Sequence, residues 1–214
     1  MEKLRPSSEA KREAILETAS QHFFAHGFAA SAIESIAEDA GVSKVTVYNH
    51  FGSKKALFTA AVEQECEKMR GHFRIESMPG ASLRARLTAI GEGMVAFLSR
   101  DEMIHFERRI AAETEHEPSV GLTFLAAGPH RMRAAFRDLL AAMHEAGEVN
   151  VPDPALAAEQ FASLCKGMGD LDRRFGMARD ERRDAERIAG AVELFCRAYA
   201  VDDPQEPANE RPAK

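Results

Sequence analysis

Apolar residues recur along this chain with a helical period. Ile33, Ile36, Ala37 and Ala40 fall at i, i+3, i+4 and i+7, the spacing that lines one face of an α-helix. Gly27-Phe28 closes a helix before them, and Ser53 opens a long one reaching toward Phe73. Farther on, the spacing predicts helices over 82–98, 102–113, 120–127, 130–145, from Asp153-Pro154 onward, and over 181–200. Their inward positions are Leu83, Leu87, Ile90, Met94 and Leu98; Met103, Phe106 and Ile110; Leu156, Phe161, Leu164, Cys165 and Met168; and Ile188, Val192, Phe195 and Tyr199. The segment 76–82 with Pro79 and Gly80, Gly128-Pro129, and Gly147 read as breaks. No segment alternates as a strand does, and no repeat is present. The chain reads as all-α.

The stretch from Ser31 to Lys55 carries the most specific signal. Ser31 is placed to cap the helix that contains Ile33. Gly41 follows Ala40 where a helix end favours a left-handed residue. Ser43 then caps a second short helix, and Val42 and Val47 are spaced as a hydrophobic staple around that cap. Two helices joined by so short a turn cross steeply, so the second projects outward. Its outward positions hold Lys44, Thr46, Tyr48 and Asn49, with His50 at its end. These side chains hydrogen-bond phosphates and base edges. The layout is that of a DNA-reading helix-turn-helix; the alternative is an ordinary αα-corner.

Ser53 can cap the next helix, with Lys54 and Lys55 in its first turn. Cations there oppose the helix dipole, at a cost of about 0.3–1 kcal/mol each. A phosphate at the same place reverses that sign. The alternative is two solvated lysines.

These residues resemble the TetR family of bacterial transcription regulators. The resemblance rests on Ala14-Ile15-Leu16, Ala19, Phe23-Phe24 and Gly27-Phe28, on Ile36-Ala37 and Ala40-Gly41-Val42-Ser43, and on Tyr48-x-His50-Phe51-x-Ser53-Lys54 with Leu57-Phe58, and covers about residues 9–62. Ser31 stands where threonine is more usual, and Val45 where many members carry a small residue. The resemblance implies phosphate contacts from Tyr48, His50 and Lys54. It places Thr46 at the backbone or a thymine methyl, and makes Lys44 a base reader, with Ser43, Val45 and Asn49 completing the DNA-facing set. It also implies an all-helical homodimer on a double-stranded operator, with a divergent C-terminal domain that binds a small molecule.

The organisation expected is a helix-turn-helix domain over 1–55, a larger helical ligand-binding and dimerisation domain over 56–201, and a disordered tail over 202–214. The last two helices are the expected dimer surface, as a four-helix bundle between copies. Met94, Phe97, Phe106, Phe124 and Phe161 are apolar residues spread over four predicted helices that can wall a largely apolar effector; the plain alternative is core. Arg109, with Arg108 beside it, is a candidate polar contact for that effector. His130 either lines its pocket or begins a helix.

Composition adds limits. The formal net charge is −6, an unpromising sum for a DNA binder. Residues 1–55, however, hold seven Lys/Arg against seven Asp/Glu, so the remainder carries the whole excess. DNA binding is then expected to depend on local placement and on salt. No apolar run is long enough for a membrane span and none follows the charged first residues, so a cytoplasmic protein is expected. Cys66, Cys165 and Cys196 are far apart and form no zinc or disulfide pattern. No motif asks for a cofactor. A second reading is a DNA-binding regulator whose C-terminal domain senses a protein partner and no small molecule. His105-x-Glu107 and Glu113-x-Glu115-His116 raise a metal-dependent hydrolase as a third, weakened because the two groups lie on a broken segment about three turns apart.

Overall fold

The computed structural model describes residues 7–72 and 80–201. Pro79 of the expected break and all of 202–214 lie outside the described residues. Ten helices make up the described fold: α1 (Ser8–Ala30), α2 (Ile33–Asp39), α3 (Lys44–Phe51), α4 (Lys54–His72), α5 (Leu83–Leu98), α6 (Asp101–Thr114), α7 (Pro118–Ala127), α8 (Pro129–Glu145), α9 (Pro154–Arg174) and α10 (Glu181–Tyr199). One antiparallel bridge, Val149 with Ala200, ties the loop before α9 to the end of α10.

Two apolar clusters organise these helices. The first runs from Ile15 through Phe23, Ile36, Val47 and Phe58 to Phe106 and Val120, so α6 and α7 share a core with the helix-turn-helix. Phe106 is its hub: its ring stacks on Phe24 at 4.2 Å between centroids and meets Phe124 edge-on at 5.5 Å. The second gathers α5, α8, α9 and α10 around Leu87, Leu140, Phe161, Cys165 and Phe195. Burial of such side chains is the main favourable term in folding.

The predicted cap holds at Ser43, and at the predicted helix starts Ser82 and Asp153 the structure adds caps; each of the three accepts a hydrogen bond from a backbone N–H in the first turn of α3, α5 or α9. Ser31 does not. The residue that caps α2 is Ala32, without a side-chain bond, while Ser31 is buried and donates its hydroxyl to the Gly27 carbonyl at 2.6 Å. The reason is a break in α1. Gly27 sits at φ +85°, a conformation open to glycine and costly for other residues. The break frees the Gly27 carbonyl, and Ser31 satisfies it. α9 contains a second break, at Gly167 (φ +48°), which its apolar spacing does not signal. Leu156, Leu164 and Met168 of α9, expected inward, are exposed; the buried stripe is Ala157, Ala158, Phe161 and Cys165.

Candidate nucleic-acid interface and the core behind it

α3 is a short helix held by one anchor. Val47 is 1% exposed and buried in the first cluster. Gly41 (φ +65°) turns the chain between α2 and α3, and Gly52 (φ +76°) ends α3. At the entrance, the Ser43 hydroxyl accepts from the Thr46 amide at 3.1 Å and lies 2.8 Å from the Thr46 hydroxyl. Half-buried Phe51 packs at the far end beneath the Arg12 guanidinium, 5.2 Å from its ring centre.

With Val47 turned inward, Lys44, Val45, Tyr48 and Asn49 face solvent together, and Thr46 and His50 flank them half-buried. Val45 is 66% exposed, an apolar residue at the centre of a polar face. Lys44 pairs with Glu34 of α2 and lies 5.9 Å over the Tyr48 ring. That pairing holds the Glu34 carboxyl below its ordinary value and the Lys44 ammonium above its own, mainly through the hydrogen bond between them. Sequence reasoning counts the charges of Glu34 and Lys44 but not their pairing, which depends on how α2 and α3 cross.

Lys54 has a structural task. Ser53 caps α4 by accepting from the Ala56 amide at 3.0 Å. The Lys54 ammonium reaches back to donate to the Ala29 carbonyl at 3.1 Å and sits 4.7 Å over the Phe28 ring. Burial lowers its pKa, against the opposing charges of Glu113, Glu117 and Glu34. A cation at the C-terminal end of α1 is favoured by that helix's dipole, which compensates its position at the start of α4. Lys55 is the exposed member of the pair.

α6 grips the same broken end of α1. Arg109 donates to the Phe24 carbonyl at 3.0 Å, and Glu113 accepts from the Ala29 amide at 2.9 Å. Arg108 turns the other way and caps α9, donating to the carbonyls of Arg173 (2.7 Å) and Arg174 (2.5 Å). Both guanidiniums therefore satisfy helix-end carbonyls. Nothing in the sequence spacing joins Glu113 to Ala29, and sequence reasoning misses this latch.

The seven residues expected around an effector are not gathered at one cavity. Phe106 is fully buried, with Phe97 and Phe124 packed on the same first cluster. Phe161 and Met94 belong to the second. His130 is exposed in a groove of about 270 Å³ with Arg133, Arg137, Asp153, Leu156 and Glu159. Burial raises the thiols of Cys66 and Cys165, to about 11 and about 12; Cys196 is half-buried and also raised by burial. Among the described residues no group of His, Cys, Asp and Glu is arranged to hold a metal ion, and no helix is long and apolar enough to cross a membrane.

A short helix projected by one buried valine, capped at its entrance and carrying hydrogen-bonding side chains outward, is the recognition element of a helix-turn-helix DNA-binding protein. Comparison with known proteins agrees. Residues 15–61 match the model of the bacterial regulatory proteins of the tetR family, and residues 85–201 match that of the AefR-like transcriptional repressor C-terminal domain, which is more than half of the chain. The chain belongs to the TetR family of transcription regulators, which are not enzymes.

Among curated relatives, the transcriptional activator FasR of Mycolicibacterium smegmatis is 31% identical over 93 residues, 44% of this chain and 42% of FasR. RutR of Escherichia coli K12 is 46% identical over 55 residues, 26% of each chain. This chain spans less than half the length of these relatives. Among solved structures, a TetR-family regulator from Mesorhizobium loti MAFF303099 aligns with TM-score 0.76 and 24% identity, over 92% of this chain and all of that one. The flavonoid-responsive regulator FrrA aligns with TM-score 0.68 and 28% identity, over 92% and 98%.

Proposed function

We propose that this chain is a ligand-responsive repressor that binds a palindromic operator as a homodimer in the cytoplasm and is released by a small, largely apolar molecule. The observation that carries this reading is the double attachment of the DNA-reading head. α4 leaves it directly, and α6 holds the end of α1 through Arg109 and Glu113. A head so attached follows any repacking of the helices behind it. In a dimer, the two recognition helices must be spaced to match the DNA repeat, about 34–36 Å per turn. A shift of a few ångströms then lowers affinity.

On this reading Ser43, Lys44, Val45, Thr46, Tyr48, Asn49, His50 and Lys54 form the DNA-facing set, residues 1–55 the reading head and 56–201 the sensing and dimerising body. Exposed Leu164, Met168, Leu171, Phe175 and Leu194 on and beside α9 and α10 supply the apolar surface a second copy would cover. Phe175 is 83% exposed. The FrrA name supports a small-molecule effector, and the match to a repressor domain supports repression. FasR is named an activator, which makes activation the second reading.

Two measurements test the proposal. Sedimentation of the purified protein should give twice the chain mass, and DNA from upstream of its own gene should be retarded by it in a gel. Small apolar compounds that raise its melting temperature should release that DNA. A monomer, or stabilising compounds that leave the DNA bound, would refute the mechanism.

A further inference from the structure

Behind the loop that joins α9 to α10, three guanidinium groups converge on one carboxylate. Asp184, 2% exposed, receives Arg173 at 3.1 Å, Arg179 at 3.0 Å and Arg187 in a short contact. Arg173 is itself 4% exposed. Its Nε and Nη2, and the Nε of Arg187, are buried without a hydrogen-bond partner in the protein. Arg179 also pairs with the exposed Glu181 at 3.6 Å, so three guanidiniums face two carboxylates and one positive charge stays in excess. Burying a charge without pairing it is costly, and nearly all buried polar groups find partners.

The chain makes room for this arrangement. Gly169 and Gly167 lie directly under the Arg187 side chain, where a Cβ on either would collide with it. Arg173 continues the buried stripe of Phe161, Cys165 and Gly169 along α9. Arg179, in the loop, is the most exposed of the three guanidiniums. Tight packing explains an apolar core here, but it does not explain the unpartnered Nε and Nη2 of Arg173 and Nε of Arg187 at its edge.

We infer that Arg173, Arg187 and Arg179 form an anion-binding subsite that takes the carboxylate of a small molecule. Guanidinium forks match the two oxygens of a carboxylate, and the donors left over here are N–H groups of two adjacent forks. The inference rests on the proposal above that the C-terminal body senses a small molecule, and it specifies that molecule as one with an acidic head and an apolar remainder.

Acetate and formate test it, because they need no pocket shape beyond the subsite. Melting curves of the full chain in acetate should lie about 3–5 °C above those in chloride at equal ionic strength and pH once acetate is about ten times its Kd. Acetamide should give no shift. Arg173→Met, which leaves Asp184 two cationic partners, should fold and lose the acetate response. In wild-type protein with 15N-labelled arginine, the Nε–H signals of Arg173 and Arg187 should move with acetate and not with acetamide.

Identical melting in acetate and chloride with unmoved Nε–H signals would overturn the inference. So would signals that move on protein dilution and not with acetate, which would assign the free donors to a second copy. DNA binding is read separately. Acetate binding by a protein that ignores DNA would refute the regulator reading alone, and DNA binding without any acetate response would refute the subsite alone.

Discussion

The Glu113 carboxylate of α6 occupies the space that a side chain on Gly27 of α1 would fill. One of its oxygens lies within clashing distance of where a Cβ of residue 27 would be, and the other accepts from the Ala29 amide at 2.9 Å. The glycine is therefore required twice, by its φ of +85° and by its neighbour. The pair joins the reading head to the helices behind it.

Gly27→Ala should consequently cost more than the usual strain of a left-handed alanine. We expect a loss of about 1–3 kcal/mol from the backbone conformation alone. Displacement of Glu113 should add to it. Denaturant titration measures the total, and a variant as stable as wild type would show that the latch is slack.

Phe106 separates core from effector wall. Because its ring is fully buried against Phe24, Phe58 and Phe124, Phe106→Ala should lose about 3–5 kcal/mol of stability, the range for large core aromatics. Urea unfolding checks this. A loss below about 1 kcal/mol, smaller than such truncations give, would mean that the ring borders a space able to collapse or fill.

Glu34 restrains Lys44. Glu34→Gln removes a negative charge from the face that would meet phosphates and releases the lysine. DNA affinity should rise, and the slope of log affinity against log salt should steepen by about one. Lys44→Ala should do the reverse. Unchanged salt slopes in both variants would place Lys44 away from DNA.

Asp184 makes stability depend on acid. Burial by itself would raise its carboxyl, but the hydrogen bonds and charges of Arg179, Arg173 and Arg187 outweigh that and hold it below its ordinary value of 3.8. A carboxyl depressed on folding stabilises at pH above its unfolded value, and that contribution is lost as pH falls through the folded one. Asp184→Asn should cost about 3–5 kcal/mol at neutral pH, since it strands buried cations. The gap from wild type should be constant above about pH 5 and shrink below about pH 4. A gap independent of pH would contradict the ionised pairing.

Local chemistry was legible in the sequence wherever it acts within a few residues. Gly41, Ser43 and the Val42–Val47 spacing define α2, the turn and α3 without any distant partner. The same holds for the cap Ser53 and for the helix starts at Ser82 and Asp153. Ser31 misled because a cap and a back-bond are equally short-range, and the choice between them was made by the break at Gly27. Lys54 was visible as a cation at an unfavourable helix start, while its acceptor, the Ala29 carbonyl, lies 25 positions away. The Glu113–Ala29 and Arg109–Phe24 contacts span 84 and 85 positions, and periodicity carries no information at that range. The expected effector residues failed to converge for a related reason. Period locates the buried face of each helix but not which of two cores that face enters.

The most direct test of the account is DNA binding through α3. Fluorescence anisotropy should be run on the duplex upstream of the gene and on a scrambled duplex, at two salt concentrations, with wild type, Tyr48→Phe and Lys44→Ala. The account predicts tighter binding to the upstream duplex, weakened by both substitutions and by salt. Equal affinities for the two duplexes at both salts, with both variants indistinguishable from wild type, would contradict it.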